Sequence, residues 1–259
     1  MFRKITLTLT GVFTFLLFSA LTIAQDKPKD MLYLIHKDVV IPNMVPQYEE
    51  TMTLLIEQIR KHNFGGEIQF ASSTDDNEYF YLTPLESYAD LNNGEGYWNE
   101  LFKKAGEEKM SSIFKGFEGC YDHHNNFIVK RSAYLSYMPE NPRLKQEEVG
   151  FIHWDYYYIQ DGKEEEAMKL NEKYKELWAK HNIGDGYNIW ISDIGHDLGM
   201  MVVTQGAKDA ADYYTTWEAT KEKLGEELDA LNAKFLPLMK DFYHKNGKPR
   251  PEYSHKPGE

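Results

Sequence analysis

The sequence predicts an α+β chain built from two tandem β-α-β-β-α-β units packed sheet to sheet. Three observations carry this reading. Blocks of residues recur at a fixed spacing, each copy runs through the same order of strand and helix patterns, and such a unit leaves one sheet face bare for a second copy to cover. Lys61-His62-Asn63-Phe64-Gly65 returns 119 residues later as Lys180-His181-Asn182-Ile183-Gly184. The same spacing carries Trp98 onto Trp217, Lys104-Ala105-Gly106-Glu107-Glu108 onto Lys223-Leu224-Gly225-Glu226-Glu227, Arg131 onto Arg250 and Tyr134 onto Tyr253. From Glu57 to Tyr134 there are 16 identities in 78 ungapped positions, where ordinary composition gives about 5 by chance. A further block, Ile35-His36-Lys37-Asp38 against Ile152-His153-Trp154-Asp155, sits at a spacing of 117.

Residues 1–24 read as a secretory signal peptide. Arg3 and Lys4 form a basic start, Val12 to Ile23 is an apolar run shorter than the ~20 residues of a spanning helix, and Thr22-Ile23-Ala24 predicts cleavage before Gln25. The product is expected outside the cytosol, periplasmic or secreted, with no membrane attachment after cleavage. Residues 30–140 form the first repeat and 148–257 the second. Each opens with a strand, 31–37 and 150–158. An amphipathic helix follows, with Tyr48, Met52, Leu55 and Ile59 on one stripe and Leu170, Tyr174, Leu177 and Trp178 on the other. Gly65 and Gly184 are expected to take the left-handed conformation where these helices stop. Strand pairs at 67–73 and 78–83, and at 187–192 and 199–204, turn at Asp75-Asp76-Asn77 and Gly195-His196-Asp197. A long helical region comes next, striped by Trp98, Phe102, Ile113 and Phe117, then by Leu224, Leu228, Leu231, Phe235 and Phe242, with a kink at Pro237. Strands at 127–137 and 250–255 close the copies.

The order β-α-β-β-α-β is the ferredoxin-like unit. Two such units in tandem resemble the dimeric α+β barrel superfamily, which includes the NIPSNAP and antibiotic-biosynthesis-monooxygenase-like families, over about residues 30–257. The resemblance rests on element order and duplication. It implies an intrachain pseudo-dimeric barrel with an enclosed lumen. Because duplication supplies the pairing that single-copy relatives obtain by dimerising, it is compatible with a monomer.

The doubled His-x-Asp is the sharpest chemical feature. Residues i and i+2 of a strand share a face, so His36 projects with Asp38 and His153 with Asp155. A carboxylate beside an imidazole suits general acid–base work, and these four are the candidate catalytic residues if both pairs face the lumen. Four such groups in one enclosure can also ligate a divalent metal, while the plain alternative is a hydrogen bond fixing the strand end. Arg131, Tyr134, Arg250 and Tyr253 are candidate ligand-binding residues, since an Arg can hold a carboxylate or phosphate; pairing with surface acids is the alternative. His62 and His181 suit helix C-termini. Trp98 and Trp217 read as core. His123-His124 is expected in a turn and lacks further ligands at useful sequence spacing, so no metal site is read.

A net charge of −12 argues against a nucleic-acid partner, and one cysteine, Cys120, excludes an intrachain disulfide and Cys-rich metal sites. The chain lacks Gly-x-Gly-x-x-Gly, the phosphate-cradling Gly-x-x-x-x-Gly-Lys, Gly-x-Ser-x-Gly and His-Glu-x-x-His. The cofactor stays open. The favoured function is binding of a small apolar or aromatic organic ligand between the sheets. The alternatives are a cofactor-independent or haem-linked oxygenase, which the resemblance implies, and a structural or interaction protein with a filled lumen.

Overall fold

The computed structural model describes residues 29–259, so the expected signal peptide lies outside the described residues. In the first half, β1 (Met31–Val40) leads to α1 (Val45–Lys61), β2 (Phe70–Thr74), β3 (Glu78–Leu85), α2 (Gly94–Ala105), α3 (Glu107–Gly116) and β4 (Tyr121–Tyr137). In the second, β5 (Phe151–Ile159) leads to α4 (Glu164–Lys180), β6 (Tyr187–Ser192), β7 (Met200–Ala207), α5 (Ala210–Phe235) and β8 (Met239–Pro249). The strands form one closed antiparallel barrel in the order β1-β3-β2-β8-β5-β7-β6-β4. Within each half the order is that of a ferredoxin-like sheet. The two sheets do more than face each other: β2 bonds to β8 and β4 to β6, so both open edges are closed.

Alternation along the strands divides the side chains. One face packs beneath the helices into two clusters. The first gathers Tyr48, Leu55 and Ile59 of α1 with Leu101, Met110, Ile113 and Phe117; the second gathers Leu177 and Trp178 of α4 with Leu224, Leu228 and Phe235 of α5. The other face lines the lumen. The chain ends are exchanged between halves: Leu135 and Tyr137 at the end of β4 sit in the second cluster, and Tyr253 sits in the first. The tail is tied down there, with His255 bridging Ile68 and Arg60 donating to the carbonyls of Glu252 and Ser254.

Five expectations need correction. The left-handed residues after α1 and α4 are Asn63 (φ 49°) and Asn182 (φ 48°), not Gly65 and Gly184; an asparagine tolerates that region and so ends each helix two residues earlier. The repeated Gly106/Gly225 marks a helix break, with φ 96° separating α2 from α3 and φ 50° kinking α5. Pro237 instead lies in a 3-10 turn after α5. The last strand of the second half is Met239–Pro249 rather than 250–255, so Phe242 belongs to a strand. Finally, β4 starts at Tyr121, which puts His123 and His124 on a strand and not in a turn. The closing strands are related by 120 residues, because Asp38 pairs with His124 and Asp155 with His244; a frame of 119 misplaces them by one.

Candidate functional site

The barrel encloses a cavity of ≈ 650 Å³. β1 contributes Tyr33, Ile35 and Lys37; β3 contributes Glu78, Phe80 and Leu82; β4 contributes Phe127, Val129 and Arg131. From the second half come Ile152, Trp154 and Tyr156 of β5, Trp190 of β6, and Met200 and Val202 of β7. Trp190 spans the two halves, edge-on to Tyr33 at 5.4 Å, and its Nε1 donates to Thr204 Oγ1 at 3.0 Å. The middle of the lumen is therefore aromatic and aliphatic, with few polar groups to anchor a ligand.

Its two ends are polar in different ways. At one end Glu78 is clamped between Lys37 (3.2 Å) and Lys245 (2.6 Å), and Lys245 also reaches Asp76 at 2.7 Å. Burial pulls Lys245 down, but Asp76 and Glu78 more than offset it, so its ammonium holds its proton above the usual range. These charges are matched within the cluster. His196 nearby is pushed below its usual value, chiefly by burial. At the other end Arg131 donates from Nε to Asn188 Oδ1 at 2.7 Å, and among the described residues no carboxylate forms an ion pair with it. Tyr33 OH donates to Gln69 Oε1 at 2.8 Å beside it. The segment joining the halves lines this mouth through Met138, Pro142 and Val149. Arg143 pins that segment, binding Asp185 at 2.8 Å and gripping both oxygens of Asp212 at 2.8 and 2.9 Å.

Of the ligand-binding candidates only Arg131 lies on the lumen. Tyr134, three residues on, is on the opposite face of β4, with Lys175 Nζ 5.7 Å from its ring centre. Arg250 and Tyr253 follow β8 and pack against the first half from outside. Arg250 is buried, donates to Glu49, Glu252 and Tyr253 OH, and stacks over Tyr79 and Tyr253. It is a structural arginine.

Both His–Asp pairs are turned away from the lumen, because Tyr33, Ile35 and Lys37 take its side of β1, and Ile152, Trp154 and Tyr156 its side of β5. Asp38 is buried under α1, where its Oδ2 accepts from Tyr48 OH at 2.6 Å and Tyr48 meets Tyr81 OH at 2.8 Å. Burial foremost, with the neighbouring Asp38 charge, holds both phenols protonated well above the usual range. Burial lowers the His36 imidazole, but the adjacent Asp38 carboxylate and Asn126 outweigh it, so its pKa stands above the ordinary value. His153 stacks on Tyr213 of α5 at 4.4 Å, and its ring nitrogens meet Asn246 Oδ1 at 2.7 Å and Asp155 Oδ1 at 3.1 Å. The four polar groups thus form two separate outer sets and not one shared enclosure. Sequence reading missed their cross-strand partners. A doubled His-x-Asn, His124-Asn125-Asn126 and His244-Lys245-Asn246, signals them at a spacing of 120. Cys120 is buried, and burial pushes its thiol up, which leaves it a poor nucleophile.

Neither a protein-family model nor a curated protein sequence matches the chain. Solved structures do match. An anthrone oxidase-like protein superposes with a TM-score of 0.59 at 13% identity, covering 91% of this chain and 95% of its own. A monooxygenase-like protein from Lactobacillus acidophilus gives 0.52 at 7% identity over 85% and 94%. Another from Fusobacterium nucleatum gives 0.52 at 8% over 85% and 92%. The chain has the fold of the dimeric α+β barrel superfamily, with both halves of the barrel carried on one polypeptide.

Proposed function

We propose that the chain is an exported protein whose lumen binds a small aromatic or apolar organic molecule bearing an anionic group. One observation carries the reading: Arg131, without an acidic partner among the described residues, opens onto an aromatic cavity of ≈ 650 Å³. That volume falls within the roughly 300–1,000 Å³ of ordinary ligand pockets. A guanidinium on a low-dielectric wall favours a carboxylate or phosphate, while Trp154, Trp190 and Tyr156 accommodate a flat apolar body. A filled lumen is at odds with an open cavity of this size. Oxygenase chemistry inside the lumen is favoured only by the names of the fold neighbours, since the His–Asp pairs lie on the other side of the wall.

The test is calorimetric titration with 2-naphthoate and its neutral analogue 2-naphthylmethanol, beside native mass spectrometry of freshly purified protein for a retained small molecule. Arg131→Ala is expected to weaken naphthoate about 10-fold, as for loss of a charge-assisted hydrogen bond, and to leave the alcohol nearly unchanged. Val202→Trp, which places an indole in the cavity, is expected to weaken both. Equal losses for the acid and the alcohol in Arg131→Ala would remove the anion from the reading. Full binding by Val202→Trp would remove the lumen.

A further inference from the structure

The outer face of β1 and β4 holds a second constellation. Asp38 faces His124 directly across the ladder, and His36 faces Asn126. Asp38 Oδ1 lies 3.1 Å from His36 Nε2 and 3.6 Å from His124 Nδ1, and the three donor atoms fall within 4.8 Å of one another. Ligands at about 2.0–2.1 Å around a tetrahedral ion stand about 3.3 Å apart, a spacing that the two separations from Asp38 straddle.

Two further observations point to a cation. Asp38 is only 3% exposed, yet among the described residues its Oδ1 receives no hydrogen bond, an arrangement that is costly for a buried carboxylate. On the other ring nitrogen, His36 Nδ1 lies 2.9 Å from Asn126 Oδ1; in the neutral tautomer whose Nδ1–H donates there, the Nε2 lone pair faces that same Asp38 oxygen. In that tautomer two acceptors stand 3.1 Å apart, and a cation shared with His124 takes the place of the proton that otherwise sits between them. The supporting partners are of the kind that orient metal ligands: Asn126 on His36, Tyr48 on Asp38, and Tyr121 stacked on the His124 ring at 4.7 Å. The His36 and His124 side chains are 39% and 52% exposed, which gives an ion an entry path and leaves coordination positions to water.

We propose that His36, Asp38 and His124 form a mononuclear site for a first-row divalent metal ion of the Zn2+ class, oriented by Asn126 and Tyr48. Two imidazoles and one carboxylate are a borderline donor set that favours such ions over Mg2+ or Ca2+. Three protein ligands with open positions are the pattern of sites that bind or activate a further molecule, where closed structural sites use four.

The second half supplies its own control. His153, Asp155, His244 and Asn246 occupy the equivalent register and repeat the 3.1 Å His–Asp contact, but among the described residues no third ligand atom joins that pair as His124 joins His36 and Asp38, and Tyr213 of α5 stacks on the His153 ring. The inference is one ion per chain, not two.

Tag-free protein is titrated with ZnCl2 by calorimetry, and with Co2+ by visible absorption. One equivalent is expected to bind. His124→Ala, an exposed change that spares the core, is expected to weaken binding at least about 100-fold and to erase the Co2+ bands; Asn126→Ala is expected to cost about 10-fold. His153→Ala is expected to bind as the parent does. Circular dichroism confirms the fold of each variant. No Zn2+ binding by the parent at sub-millimolar concentration, binding that survives His124→Ala, two equivalents, or loss in His153→Ala would each overturn the assignment. The lumen reading stands or falls separately, because its test contains no metal.

Discussion

Gly247→Ala is expected to cost about 3 kcal/mol or more, the largest effect of any glycine-to-alanine change among the described residues. The β2–β8 seam pairs only Ser72 with Pro249, Ser73 with Lys248 and Thr74 with Gly247. A Cβ at Gly247 would lie 2.0 Å from Ser73 O and 2.6 Å from Thr74 Cα. Both are backbone atoms of a strand held in a closed barrel, so neither can swing aside as a side-chain tip can. The glycine is required by close approach of another backbone, not by an unusual φ. Gly96→Ala in α2 is the matched control: nothing lies within 4 Å of its added Cβ, and a gain of about 0.5–1 kcal/mol is expected from helix propensity. Urea midpoints followed by tryptophan fluorescence separate the two. A Gly247→Ala midpoint as high as the parent's would show that the halves are not joined at this seam.

Arg250→Met is expected to cost about 3 kcal/mol, and the loss should shrink in acid. The guanidinium is buried between the Tyr79 and Tyr253 rings, with centroids at 5.4 and 4.6 Å, while Nη1 and Nε reach Glu49 and Glu252. Methionine keeps much of the apolar stem and removes the charge. Burial pushes the Glu49 carboxyl up, but Arg250 first, then Tyr79, pull it further down, so its folded value lies below 4.5. A carboxyl depressed in the folded state contributes stability that is present above the unfolded value and disappears as pH falls through the folded one. The parent and Arg250→Met should therefore converge as pH drops below about 4.5, and stay fully separated near pH 7. Denaturation midpoints at several pH values check this. A gap that is constant with pH would assign the whole effect to packing.

The success and failure of sequence reading here divide along physical lines. Repetition, strand and helix periodicity and the His-Asn-x-Gly stops report local preferences, and they place β1, α1, β2, β3, α4, β6 and β7 within a few residues. Arg131 was legible as a ligand-binding candidate, although not as the one member of its set on the lumen. Tyr134 misses it because β4 shifts register after Ser132 and the side chain turns toward α4, where Lys175 lies over its ring, an irregularity that strand periodicity does not report. The frame of 119 failed for the last strand because the halves differ in length between conserved-looking blocks, and a one-residue slip turns every side chain to the other face.

By itself the sequence determined that the chain is a duplicated β-α-β-β-α-β unit, because each element is set by residues adjacent along the chain. Only the tertiary structure decided which face of β1 and β5 closes onto the lumen. Both faces of these strands are rich in apolar or aromatic groups, so local pattern gives no preference, and only packing under the helices settles it. The same is true of the meeting of Asp38 with His124: 86 residues of chain separate them, and one strand ladder places their side chains together.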